Sequence, residues 1–87
     1  MTNYEKYDQY CRENADAEEQ GFFGGICALF NVSIGTAYNL WYAEQRGWFR
    51  EEMFDELIRL DGKTDEFQPC LATGEWAWKN GKFVPEA

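Results

Sequence analysis

The stretch that decides the fold is GICALFNVSIGTAYNLW, residues 25–41. Its apolar run, Ile26 to Phe30, leads into Asn31, and asparagine visits the left-handed conformation of a sharp turn more readily than most residues do. Ser33 follows the turn, where a serine is typical of the residue that caps a helix start. The pattern therefore predicts two helices joined by a sharp turn, the second ended by a left-handed Gly47.

The segment before this turn carries a further predicted helix start. Asp16 and Glu19 are spaced like a capping box, in which the first side chain caps the helix and the second reaches back. Gly24 and Gly25 weaken a continuous helix by about 1 kcal/mol each relative to alanine. We therefore expect either a break or a close approach of two helices at these glycines, within a helix-turn-helix unit over residues 16–47.

Residues 2–14 predict an N-terminal helix. Thr2 and Glu5 form a T-x-x-E capping box at its start. The tyrosines and the cysteine that follow recur at helical spacing, so they share one side of the helix. We expect this stripe to pack on the rest of the domain, with an exposed tyrosine patch as the alternative. Its members are Tyr4, Tyr7, Tyr10 and Cys11.

On the other side of the turn, residues 50–61 predict an acidic amphipathic helix that Gly62 ends. Its apolar side chains fall on one face and its charges elsewhere. Asp55 and Arg59 are spaced one helical turn apart, which predicts an ion pair. The apolar stripe consists of Met53, Phe54, Leu57 and Ile58.

The C-terminal segment, residues 75–84, alternates at period two around Asn80-Gly81, which predicts a β-hairpin. A two-residue turn pairs Trp78 with Phe83 and puts both rings on one face. Because an isolated hairpin is only marginally stable, we expect that face to dock on the helices.

Together these elements predict one domain, residues 1–87. Its class is mainly α with a C-terminal β-hairpin (α+β), built on a trihelical helix-turn-helix core. Trp48-Phe49 could add a short third strand, and residues 61–74 are expected to form a loop.

The composition argues against enzyme chemistry. None of the 87 residues is histidine, and Ser33 is the only serine, so no Ser/His/Asp set can form. Three scattered cysteines without histidine do not suit a zinc site, and no phosphate-binding glycine loop occurs. We therefore expect no catalysis, no metal and no cofactor.

The cysteines and the apolar runs predict a cytoplasmic protein. Three cysteines with no C-x-x-C pair indicate free thiols in a reducing compartment. The first twenty residues are polar and acidic, unlike a signal peptide. No apolar run approaches the ~18 residues that span a bilayer, so no membrane contact is expected.

The helix-turn-helix sequence resembles that of bacterial regulators over residues 22–49. The shared pattern is an Ile-Ala pair, an aromatic or Leu, a Gly or Asn, Val-Ser and then Thr-Val. Here Cys27 and Ala37 replace the small Ala and the last Val. The spacing of eleven between Thr36 and Gly47 is similar to that in winged-helix regulators of the GntR kind.

This resemblance implies a winged-helix-like regulator that binds duplex DNA, with a homodimer as an open possibility. The second helix of such a unit lies in the major groove. Asn39 could there read adenine, and Thr36 could contact a phosphate. The residues that the resemblance implies for DNA binding are Ser33, Thr36, Tyr38 and Asn39.

The distribution of charge disfavours DNA. The net charge is −8, with six acids and two bases in residues 1–20 and seven acids and two bases in residues 51–66. Residues 21–50 carry one acid and two bases. Because phosphate neutralisation supplies most non-specific DNA affinity, this chain would be repelled by DNA at long range.

We therefore expect first a protein-binding inhibitor that docks on the basic, nucleic-acid-binding surface of a host protein. Charge would steer the encounter, and Tyr or Trp anchors would hold it. In size and charge the chain resembles small phage-encoded inhibitors of the anti-CRISPR or DNA-mimic type, which implies a phage or mobile-element origin. Solubility alone is the open alternative for the acids. The partner-binding residues expected are Glu51, Glu52, Asp55, Glu56, Asp61, Asp65 and Glu66, with Asp16, Glu18 and Glu19 as a second group.

Overall fold

The structure is a computed structural model that describes residues 1–48 and 50–86, and it contains four helices and one two-stranded antiparallel hairpin in that part of the chain. This architecture confirms the predicted class, mainly α with a C-terminal hairpin. The elements are α1 (Asn3–Glu13), α2 (Glu19–Phe30), α3 (Ile34–Gln45), α4 (Glu51–Leu60), β1 (Trp76–Lys79) and β2 (Lys82–Pro85).

The core forms where the four helices meet the hairpin and the loop before it. Phe54 of α4 receives the edges of Tyr4 and Tyr7, at ring-centroid distances of 5.9 and 5.1 Å. The tyrosine stripe of α1 therefore packs on the domain, as expected. The largest fully buried side chains are Tyr7, Ile26, Leu40, Phe54 and Leu71.

The start of α1 is capped as its sequence predicts. Thr2 Oγ1 accepts a hydrogen bond from the Glu5 backbone N–H at 3.1 Å, and Glu5 Oε1 accepts one from the Thr2 backbone N–H at 2.8 Å. Hydrogen bonds from the Thr2 backbone N–H and, to a smaller extent, from the Thr2 side chain to the Glu5 carboxyl hold the pKa of Glu5 below its usual value. The capping box is therefore formed in full.

The turn between α2 and α3 has the predicted left-handed residue. Asn31 has φ 54° and ψ 53°, and α3 begins three residues later with Ser33 at the N-cap position. The two helix axes turn through 102°, which lies in the range of helix-turn-helix pairs. No single helix in the described ranges is long and apolar enough to cross a membrane; only α2 and α3 taken together, across this bend, meet the length and composition.

The start of α2 differs from the predicted capping box. Glu18, not Asp16, is the N-cap residue, and its side chain makes no capping hydrogen bond. Asp16 lies within a turn that the Ala17 N–H closes on the Asn14 carbonyl at 3.0 Å. The predicted capping box on Asp16 and Glu19 is therefore not formed.

Helix α2 runs through both of its central glycines without a break. At Gly25 the ring of Tyr10 from α1 approaches so closely that an added Cβ would lie 1.9 Å from its hydroxyl. That hydroxyl donates a hydrogen bond to the Phe22 carbonyl at 2.7 Å. Of the two predicted alternatives, the close approach is the one observed.

The hairpin has the predicted register, with Trp78 opposite Phe83. Asn80 and Gly81 have φ values of 53° and 76°, as a two-residue turn of this kind requires. Buried Phe83 receives the edges of Trp76 and Trp78, with centroids 5.3 and 4.8 Å away.

The expected third strand is not formed at Trp48, whose ring lies edge-on to Trp76 at 5.1 Å. The other half of that prediction, Phe49, lies outside the described residues. Gly47 has φ 69° and so confirms the left-handed end of α3.

Candidate functional site

The N-terminal end of α3 is bound by a carboxylate from the end of α4. Asp61 Oδ1 accepts hydrogen bonds from the Ser33 backbone N–H at 2.9 Å, the Ser33 hydroxyl at 2.7 Å and the Thr36 hydroxyl at 2.8 Å. These bonds, led by the one from the Ser33 hydroxyl, lower the pKa of Asp61. Ser33 therefore does not cap α3 with its own side chain; its N–H and its hydroxyl both bond to Asp61, which is distant in sequence.

The loop after α4 is fastened to α3 a turn further on. The amide of Asn39 donates to the Pro69 carbonyl at 2.9 Å and accepts from the Leu71 N–H at 3.1 Å. Leu71 is fully buried in the core. We call residues 61–71 the strap, because they lie along α3 and contact it at both of these points.

Three of the four residues implied for DNA binding are thus engaged by the strap. Ser33 and Thr36 are bonded to Asp61, and Asn39 is bonded to the backbone of Pro69 and Leu71. The fourth residue of that set, Tyr38, lies on the other side of α3 and is 37% exposed.

The arginine at the end of α3 is also engaged. The guanidinium of Arg46 lies 5.2 Å from the ring centroids of Tyr42 and Trp48, and its Nη1 donates to the Leu71 carbonyl at 3.3 Å. Arg46 therefore sits at the C-terminal end of α3, at the opposite end from Ser33, and holds the strap against the helix.

The predicted ion pair between Asp55 and Arg59 is wrong. Arg59 instead binds Glu56 through Nε and Nη2, at 2.7 and 2.8 Å, and Glu66 through Nη2 and Nη1, at 2.8 and 3.1 Å. The planar guanidinium can grip two carboxylates bidentately, and the strap brings Glu66 within reach. The bonds from Arg59 lower the pKa of Glu66, and Asp55 accepts from the Asn3 amide at 2.8 Å.

The seven acids of α4 and the strap that were expected to bind a partner therefore fall into two kinds. Four of the seven carboxylates, on Asp55, Glu56, Asp61 and Glu66, bind groups of the chain itself. Glu51 and Glu52 are exposed in the first turn of α4, where carboxylates suit the helix dipole. Asp65 is also exposed. No group of three or more acids or cysteines in the described part of the chain is placed to hold a metal ion.

The second acidic group borders a groove that we call the aromatic groove. Asp16 and Glu18 are exposed on the connection between α1 and α2, and Glu19 is exposed at the first position of α2. Between this connection and α3 lies a cavity of about 460 Å³, open to solvent. Its lining is Asn14, Ala15, Ala17, Glu19, Phe22, Phe23, Tyr38, Trp41 and Tyr42.

The rings of the aromatic groove are packed against one another and fixed from below. Buried Phe23 stacks on Tyr38 with centroids 4.2 Å apart and an interplanar angle of 29°. Trp41 meets Phe23 edge-on at 5.9 Å and Tyr42 edge-on at 5.2 Å. Trp41 and Tyr42 are half-buried, so rigid ring surfaces face the cavity.

Glu19 is the charged residue in the lining of the aromatic groove, and Arg46 lies over the ring of Tyr42, which also lines it. Residues 13–45 contain no Lys or Arg, and every lining residue belongs to this segment. The acids of the segment are Glu13, Asp16, Glu18, Glu19 and Glu44.

The groove is the part of the surface that sequence reasoning missed. Two sequence signals could have found it. One is the cation-free segment 13–45; the other is the spacing of Tyr38, Trp41 and Tyr42, which puts three rings on one side of a helix.

The chain was compared with family models, with curated proteins and with solved structures, and none of the three comparisons found a match.

Proposed function

We propose that the protein is a small acidic inhibitor that docks on the basic, nucleic-acid-binding surface of another protein. One observation carries this proposal. The hydrogen-bonding groups of the helix that would read DNA, on Ser33, Thr36 and Asn39, are bonded to the strap. A helix that reads DNA needs such groups free for base edges and phosphates.

The position of Asp61 strengthens this point. The N-terminal end of a helix is a favourable place for a phosphate, because free backbone N–H groups and the helix dipole both attract an anion. At α3 that place is taken by a carboxylate of the chain itself, which the Ser33 N–H and two hydroxyls bind. A DNA phosphate would have to displace Asp61 and would meet its charge.

The exposed charge supports a basic partner. The chain has 16 acids and 8 bases, and exposed carboxylates stand both on α4 and before α2. Opposite charge on a partner raises the association rate and selects against wrong partners. The helix-turn-helix then serves as a scaffold, as this unit can.

The proposal includes a phage or mobile-element origin and a cytoplasmic location. The small size and the charge of the chain support the first, and its three free cysteines support the second.

A DNA-binding regulator is the second candidate function. The three-residue turn and the 102° angle between α2 and α3 favour it, as does exposed Tyr38 on the outer side of α3. The winged-helix-like arrangement stays a prediction. This function would require the strap to leave α3.

The test of the proposed function begins with capture. The tagged full chain is used to retain proteins from a nuclease-treated bacterial lysate, and each retained protein is then tested for nucleic-acid binding with and without the chain. We expect a retained nucleic-acid-binding protein whose binding the chain blocks by direct competition. Retention of such a protein without competition contradicts the inhibitor function. Duplex binding by the chain itself, weakening steeply with salt, would support the regulator instead.

A charge variant tests the part played by α4. Glu51→Lys with Glu52→Lys should slow association with the captured protein by roughly ten-fold at low salt, and the effect should shrink as salt screens it. The matched control is Glu75→Lys with Glu86→Lys, which changes the net charge equally at the open end of the hairpin. Equal effects from both pairs would mean that net charge acts, not the α4 surface.

A further inference from the structure

We propose that the aromatic groove is the anchor point of the interface and that it receives an arginine of the partner, flanked by apolar residues. The inference rests on the proposed function and deepens it, since it names the surface and the side chain that meet. Interfaces usually draw most of their affinity from a few aromatic or arginine residues in a central pocket.

The groove has the form of such a pocket. Phe23 closes its floor and packs into the core, while Tyr38 and Trp41 stand on it with their outer surfaces open. The strap engages polar groups of α3 and none of the residues that line the groove. The rings are held by one another before any partner arrives, so little side-chain entropy would be lost on binding.

The charge of the groove selects a cation. Glu19 belongs to its lining, and Asp16 and Glu18 are exposed and adjoin lining residues in the sequence. No lysine or arginine occurs between residues 13 and 45, and although Arg46 lies over the ring of Tyr42, the acids near the groove outnumber it. A second copy of this chain packed groove to groove would bring the same acids, and a nucleic acid would bring phosphates. Both would be repelled, whereas a basic protein segment would be attracted.

Arginine fits the rings better than lysine. Its guanidinium is planar, weakly hydrated and able to stack on an aromatic face while it bonds a carboxylate. The chain already shows this contact on the same helix, since Arg46 lies 5.2 Å from the ring centroid of Tyr42. Tyr42 also lines the groove. A partner arginine would stack on the rings of Tyr38 and Trp41 as Arg46 stacks on Tyr42 at the end of α3.

The experiment uses short capped peptides as probes on the isotope-labelled full chain, followed by NMR. The peptides share the same apolar residues and differ only at the centre, which is arginine, lysine or citrulline. Citrulline keeps the shape of arginine and lacks its charge. We expect the arginine peptide to shift the signals of Glu19, Phe22 and Tyr38 and the indole N–H of Trp41. The lysine peptide should bind about five-fold more weakly, and the citrulline peptide more weakly still.

Two variants and a matched control locate the contact. Tyr38→Ala and Glu19→Gln should each weaken the arginine peptide about five-fold or more. The control is Glu51→Gln, because Glu51 opens α4 as Glu19 opens α2 and both changes remove one charge. Thermal unfolding of each variant verifies that it folds. Equal binding of the arginine and citrulline peptides, shifts confined to α4, or no shift at millimolar peptide would overturn the inference.

The inference and the proposed function can fail separately. If the captured protein binds Tyr38→Ala and wild type equally and is still blocked from its nucleic acid, the function stands and the groove is not the anchor. If the arginine peptide binds in the groove but the captured protein still binds nucleic acid beside the chain, the groove is confirmed and the inhibitor function is wrong.

Discussion

The two sides of α3 differ in whether their side chains contact the strap or face solvent. On one side the hydroxyls of Ser33 and Thr36 and the amide of Asn39 are bonded to the strap. On the other side the rings of Tyr38 and Trp41 rest on Phe23 and face an open cavity. Helix α3 thus has its polar side covered by the chain and its aromatic side left open.

This difference shows how one helix can be scaffold and interface at once. Directional polar groups need partners of fixed geometry, and the strap supplies them within the chain. Ring surfaces gain from any well-shaped apolar or cationic contact. The open side can therefore change partners without disturbing the covered side, and the variants below test whether the two sides are independent.

The largest effect is expected where the strap enters the core. Leu71→Ala should lower the free energy of unfolding by about 3 kcal/mol, because the side chain is fully buried and leaves a cavity. Urea unfolding followed by tryptophan fluorescence measures this. The matched control is Leu29→Ala on α2, where the leucine is 38% exposed and the loss should be below about 1 kcal/mol. Similar losses for both would mean that Leu71 does not fasten the strap.

The next effect concerns the carboxylate at the start of α3. Asp61→Ala should lower the free energy of unfolding by about 1–2 kcal/mol at neutral pH, because Ser33 and Thr36 lose their shared acceptor. Chemical unfolding gives the value. Asp65→Ala in the same strap serves as the control and should change stability by less than about 0.5 kcal/mol, since Asp65 is exposed. If Asp61→Ala is as stable as the wild type, the bonds to Asp61 do not stabilise the start of α3.

A smaller effect is expected at the contact between α1 and α2, which supports one wall of the groove. Gly25→Ala should destabilise the protein by about 1 kcal/mol despite the better helix propensity of alanine, since Tyr10 must move. Gly24→Ala meets no atom within 4 Å and should instead stabilise by up to about 1 kcal/mol. Thermal unfolding of the two variants gives the signs. Stabilisation by both would show that Tyr10 moves aside freely.

The smallest effect is the pH dependence of the Asp61 contribution. The folded state lowers the pKa of Asp61 below its ordinary value of 3.8, chiefly through the bond from the Ser33 hydroxyl. Its stabilisation is therefore complete above that ordinary value and is lost as the pH falls through the lower, folded-state pKa. The stability difference between wild type and Asp61→Ala should shrink over this acidic range. Denaturant unfolding at a series of pH values measures the difference, and a constant value would contradict the stabilising role of Asp61.

Local patterns were read correctly where residues close in sequence decide the structure. The Thr2 box, the left-handed Asn31 and the Asn80-Gly81 turn all formed as predicted. Each depends on a hydrogen bond or a backbone angle within a few residues, so a short stretch of sequence contains the whole cause.

Predictions about side-chain partners failed where residues far apart were involved. Arg59 was expected to pair with Asp55 on its own helix and instead grips Glu56 and the strap residue Glu66. The Ser33 side chain was expected to cap α3 and instead bonds to Asp61. Glu56 lies one turn from Arg59 on the same helix, a spacing that the sequence already shows. Glu66 and Asp61 are brought into contact only by the fold, and no pattern within a helix reveals them.

The sequence by itself determined the helices, the sharp turn, the hairpin and the negative charge, because these follow from residue type and near-neighbour spacing. Only the tertiary structure decided that the strap covers the polar side of α3 and that the rings of α2 and α3 form a groove beside Glu19. The reason is that both depend on how the helices and the loop dock. Docking is set by packing of the whole core, whose contacts join residues distant in the chain.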